Sequence, residues 1–131
     1  MLEVKALLFD VFGTVVDWRT GIANEVQAIA KKYNIELNAE DFADAWRAEY
    51  QPAMEQIRNG SRGFTILDIL HLENLKKIAP TFNLNNLSNE DLDFLVTAWH
   101  RLPAWADTSG GLNKLKKKFI LATQSNGNIA L

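Results

Sequence analysis

Two short apolar runs, VKALLF at 4–9 and FILAT at 119–123, stand more than a hundred residues apart. Each is too short for a typical helix. Each stops at polar or turn residues: Asp10 and Gly13 after the first, QSNGN after the second. Runs of this kind suit buried strands of a parallel sheet. Two neighbouring parallel strands need a crossover of only about a dozen residues. The excess predicts an α/β chain with a helical subdomain inserted between its strands. On this reading 1–15 and 106–131 form a partial sheet core and 16–105 the insert.

Helical spacing fills the insert. Ile22, Val26, Ile29, Ala30 and Tyr33 share one helix face. Asn38, with Asp41 three residues on, can cap a second helix carrying Phe42, Trp46, Tyr50 and Met54 at i, i+4 spacing, which Pro52 kinks or divides. NGSRG at 59–63 reads as a loop, and its glycosylation-like Asn59-Gly60-Ser61 as a turn. A third helix is expected over about 65–79, with Ile66, Ile69, Leu70 and Ile78 inward and Pro80 as its stop. Ser88 and Asp91 open a fourth, marked by Leu92, Leu95, Val96 and Trp99 and closed by Pro103. A last helix over about 111–118 leads into the second strand.

Composition narrows the function classes. In 131 residues, 47% are apolar and 23% charged, enough apolar surface for a folded core. Cysteine is absent, which excludes disulfides and thiolate chemistry, and two histidines argue against a zinc site. A net charge of −2 argues against a nucleic-acid partner. Lys114, Lys116, Lys117 and Lys118 crowd a helix end, where cations suit the macrodipole. No apolar run approaches the roughly 18–20 residues that cross a bilayer. MLEVK lacks the pattern of a secretory signal. A cytoplasmic protein with no membrane partner is expected. His71 and His100 stand isolated in sequence and read as structural.

Ligands of open parallel sheets bind beyond the carboxyl ends of the strands. Asp10 lies at that end of the first strand, and Ser125 and Asn126 at that end of the second. Neighbouring strands would bring them to one pocket. From placement alone, Asp10 is either an attacking carboxylate or a turn carboxylate. Gly13 allows a sharp turn there, and the Thr14 hydroxyl can donate a hydrogen bond that orients Asp10. Arg47, taken alone, reads as a solvated helix arginine.

The segment FDVFGTVVD at 9–17 resembles the first motif of the haloacid dehalogenase superfamily, and TQSNGN at 123–128 its second. The resemblance implies a Rossmann-like parallel sheet, here two strands of it, with a helical cap between the motifs. Phosphatases of this superfamily carry a second aspartate two residues after the nucleophile, for proton donation and Mg²⁺. That position is Phe12, which can do neither. The chain is therefore more similar to the metal-free and cofactor-free 2-haloacid dehalogenases. Trp46-Arg47 with Tyr50 resembles their cap segment, which implies a halide-binding role for Arg47. The implied reaction is displacement by Asp10 at Cα of a small 2-haloalkanoate. Halide leaves toward Arg47 and Asn126, and Phe12 forms an apolar wall. Ser125 and backbone N–H groups near Val11 and Phe12 hold the substrate carboxylate. Water then cleaves the aspartyl ester. Asp17, Trp18 and Arg19 read as a hinge into the cap.

The superfamily places a lysine and further acids beyond the second motif, and no position here matches them. The expectation is the N-terminal part of a longer hydrolase, inactive by itself. The alternatives are a phosphatase and a non-catalytic fragment or interaction module. An incomplete sheet and apolar cap faces favour homo-oligomer formation.

Overall fold

A computed structural model describes residues 3–131; the first two positions of the 1–15 segment and of the MLEVK stretch lie outside the described residues. The strands β1 (Ala6–Phe9) and β2 (Ile120–Thr123) pair in parallel, Ala6 with Ile120 through Phe9 with Thr123. Between them run α1 (Trp18–Lys32), α2 (Ala39–Ala48), α3 (Tyr50–Arg58), α4 (Leu67–Ile78), α5 (Asn89–Val96) and α6 (Thr108–Leu115). Two 3₁₀ turns, Ala79–Phe82 and Thr97–His100, follow α4 and α5 directly.

The caps form as their sequences require. The Asn38 side chain accepts from the Glu40 and Asp41 backbone N–H groups, and the Ser88 hydroxyl from Asp91. The core belongs to the helices. Ile22, Val26 and Ile29 of α1 bury against Phe42 and Trp46 of α2, Leu75 and Ile78 of α4, and Leu95 of α5. Trp46 is its centre, edge-on to Phe42 at 5.7 Å and to Trp99 at 5.4 Å. Each such side chain stabilises the fold by about 1.5–3 kcal/mol through burial.

Several expectations need correction. The strands are not buried. Leu8 is 64% and Ile120 69% exposed, because a two-stranded sheet offers no further layer to cover both faces. The second helix does divide as expected, at Glu49, three residues before Pro52. Proline has no N–H for the Ala48 carbonyl and crowds it. Ile66 and Ile69 face outward. The buried stripe of α4 is Leu67, Leu70, His71, Asn74, Leu75 and Ile78, which keeps the expected Leu70 and Ile78 and replaces the two isoleucines. Pro80 does not stop the chain's helical course. It occupies the first turn of a 3₁₀ segment, where its missing N–H costs nothing, and Asn83 ends that segment at φ 59°. The fourth helix ends at Val96 and tightens into the 3₁₀ turn well before Pro103. The last begins at Thr108 and ends at Leu115, three residues earlier than expected. No helix among the described residues is long and apolar enough to cross a membrane.

Candidate active site

The turn after β1 is built from backbone bonds. The Val11 carbonyl accepts the N–H groups of Thr14, Val15 and Val16, and Gly13 donates to Val16 at 2.9 Å. Gly13 sits at φ +95°, a conformation that side-chain-bearing residues adopt at a cost. The chain returning from the helices clamps this turn. Trp105 N–H and the Thr108 hydroxyl both reach the Val15 carbonyl, and Trp105 Nε1–H reaches the Gly13 carbonyl. Asp10 is thereby held just past the strand, exposed, with the Thr14 hydroxyl donating to its Oδ2 at 2.9 Å.

β2 delivers the opposite rim. Gln124 N–H donates to the Phe9 carbonyl at 2.7 Å, which extends the pairing one step beyond the strands. Ser125 and Asn126 follow. The Ser125 hydroxyl accepts the Gly127 N–H at 3.1 Å, and Asn126 Nδ2 donates to the Tyr50 hydroxyl at 2.8 Å.

The helices close the space from above. A cavity of about 470 Å³ is lined by Asp10, Phe12, Ser125 and Asn126 from the strand ends and by Trp46, Arg47, Tyr50, Leu67, His71 and Trp99 from the insert. Arg47 lies with its guanidinium 4.5 Å from the Tyr50 ring centroid and 5.9 Å from that of Trp18. Among the described residues it pairs with no carboxylate. Aromatic faces thus hold a half-buried cation and leave its donors free for an anion. Val11 is not on this wall; it borders a neighbouring cavity of about 460 Å³ that shares Phe12, Trp99, Ser125 and Gly127 with the first.

Asp17 is the N-cap of α1, accepting from Thr20 N–H at 3.1 Å. Arg19 is bound to Glu40 and Asp44 of α2, both at 2.8 Å, and Trp18 stacks on Trp99. His100 is not isolated: its Nε2 lies 2.9 Å from Asp68 Oδ1, and Asn128 donates to the other Asp68 oxygen. His71 is not merely structural in placement either, because it forms cavity wall. A polar residue in phase with Leu67, Leu70 and Leu75 was the available sequence signal. Burial pushes its pKa down to about 4; the Asp68 carboxylate opposes that fall, and the charges of His100 and Arg47 add to it. Among the described residues no three histidine or carboxylate side chains gather as a metal-binding group.

The fold, a parallel strand pair split by a helical insert, is shared with solved structures. The crystal structure of a defluorinating L-2-haloacid dehalogenase matches 95% of this chain at TM-score 0.91 and 48% identity. The chain has the haloacid dehalogenase fold. A second L-2-haloacid dehalogenase matches 98% of it at TM-score 0.89 and 41% identity. The fold also extends to the L-2-haloacid dehalogenase from Xanthobacter autotrophicus, solved with chloropropionic acid covalently bound, at TM-score 0.77 and 21% identity over 97% of this chain. The haloacid dehalogenase-like chain spans about half the length of these structures, 52%, 55% and 48% in turn. No protein-family profile matches it, and no curated protein does.

Proposed function

We propose that this chain carries the nucleophile and halide-side wall of an enzyme that hydrolyses the carbon–halogen bond of small 2-haloalkanoic acids. The observation that carries this reading is that one cavity is lined by Asp10 and Ser125 from the strand ends and by Arg47 from the helical insert. The 48% and 41% identity to L-2-haloacid dehalogenases, one of them defluorinating, supports it.

Asp10, held by the Thr14 hydroxyl, attacks Cα from the strand side. The C–O bond forms as the carbon–halogen bond breaks, and the electron pair leaves with the halide. An in-line displacement sends that halide away from Asp10, toward the insert, where the Arg47 guanidinium and the Asn126 amide receive it. A halide leaves without a proton, so the apolar Phe12, edge-on to Trp99 at 6.1 Å, serves as a wall. Ser125 and the backbone N–H of Phe12, both on the wall of this cavity, hold the substrate carboxylate. Water then attacks the ester carbonyl and releases a 2-hydroxy acid. A phosphatase reading would require Phe12 to act as acid or ligand, and its ring offers neither.

Incubation with 2-chloropropionate tests the displacement. The expected result is at least one equivalent of chloride per chain, with ester either turned over or retained on Asp10 and located by mass spectrometry. Asp10→Asn abolishes both signals. No chloride and no adduct would overturn the reading, as would Mg²⁺-dependent release of phosphate from p-nitrophenyl phosphate that Asp10→Asn eliminates.

A further inference from the structure

His71 is the one buried polar residue, among the described residues, that also faces the cavity. The displacement above gives it no task. Its ring is fixed: it stacks on Trp99 at 4.6 Å and 24° and meets the edge of Trp46 at 6.3 Å. Its own carbonyl accepts Trp46 Nε1–H at 3.0 Å, which locks the helix turn beneath it. The residue is 5% exposed, and Nδ1 is sealed from solvent without a hydrogen-bond partner.

A neutral imidazole carries one proton. On Nδ1 that proton would be a buried donor with no acceptor, a costly arrangement. On Nε2 it belongs to the nitrogen left to address the cavity. Burial beside Arg47 keeps the ring neutral at ordinary pH. His71 is thus a clamped, uncharged N–H donor on the insert side of the cavity, the side to which an in-line displacement by Asp10 expels its leaving group.

Resting on the dehalogenase reading, we propose that His71 donates a hydrogen bond from Nε2 to the departing halide and sets the preference among halogens. No proton is transferred: the carbon–halogen electron pair leaves with the halide, and the N–H remains on the ring. Fluoride is the smallest and most charge-dense halide and takes the strongest hydrogen bonds. It gains most from a second fixed donor beside the guanidinium. A neutral donor also releases the anion more readily than an imidazolium would.

Sodium fluoride, sodium chloride and 2-chloropropionate titrated into the chain, followed by tryptophan fluorescence, test this. His71→Phe keeps the aromatic stack and removes the donor; His71→Gln restores an N–H near the same place. The expected result is a loss of affinity in His71→Phe about tenfold larger for fluoride than for chloride, mostly recovered in His71→Gln. Side-chain ¹⁵N spectra of the unaltered chain are expected to show the proton on Nε2, a result independent of how any variant folds. Equal losses for both halides, no loss, or a proton on Nδ1 overturns the proposal while 2-chloropropionate still binds. If neither the acid nor a halide perturbs the unaltered chain, the dehalogenase reading falls and this inference with it.

Discussion

Asn126 Nδ2 donates a 2.8 Å hydrogen bond to the Tyr50 hydroxyl and so ties the loop after β2 to α3. The same tyrosine ring lies under the Arg47 guanidinium at 4.5 Å. One side chain therefore sets the distance between the cap arginine and the strand-end amide. Tyr50→Phe keeps the ring and loses the bond to Asn126; affinity for 2-chloropropionate is expected to fall about three- to tenfold. Tyr50→Leu removes the cation–π support as well and should weaken binding further. Titration calorimetry on both variants decides, and equal affinity in all three proteins would remove Tyr50 from the account.

Gly21 lies buried in the second turn of the register set by Asp17, against the segment that returns to the core. A Cβ there would stand 2.7 Å from Pro103 Cδ and 2.9 Å from Leu102 Cδ2. Alanine has the better helix propensity, by about 1 kcal/mol. The clash with a rigid proline ring outweighs it. Gly21→Ala is expected to destabilise by about 1–3 kcal/mol in urea unfolding; a more stable variant would show that the returning segment yields.

Trp46 is 1% exposed and its indole N–H satisfies the His71 carbonyl. Trp46→Phe removes the indole donor to that carbonyl, which keeps its bond within α4, and opens space beside Trp99 and Phe42. A loss of about 2–4 kcal/mol follows from the two effects together. Thermal unfolding measured beside Leu95→Ala, a pure truncation, separates the polar part from the cavity part.

Acid should act in two windows. Folded His71 stays neutral down to about pH 4, whereas an unburied histidine takes its proton near 6.5. The unfolded chain therefore binds that proton first as pH falls. Stability from this group is complete above about 6.5 and is lost on the way to 4. Asp91 titrates lower. The Lys32 ammonium, with the Tyr33 and Ser88 hydroxyls, holds its carboxyl at about 2 against an ordinary 3.8. Its contribution is complete above 3.8 and disappears as pH falls toward 2. Denaturant unfolding at stepped pH should show both slopes. His71→Phe is expected to flatten the first and Asp91→Asn the second; a flat profile from 6.5 to 4 in the unaltered chain would refute the first assignment.

Local chemistry made much of this chain legible. Asn38 and Ser88 cap the helices that their spacing announced, since a cap depends on residues within one turn. Ile66 and Ile69 were misplaced because a three-to-four-residue period leaves the phase open; which face is inward depends on what α4 meets. The place of His71 on the cavity wall is not legible for the same reason, as nothing beside it in sequence reveals Trp99 and Trp46.

By itself, the sequence determined the two strands, the helical insert between them, and the residue types at their ends: a carboxylate at Asp10, a hydroxyl at Ser125, an amide at Asn126. Those follow from short-range spacing and side-chain chemistry. Only the tertiary structure decided that Arg47, Tyr50 and His71, on three different helices, line one cavity with Asp10. That convergence comes from close packing around Trp46, where the shapes of distant side chains fix the helix phases, and no local pattern encodes it.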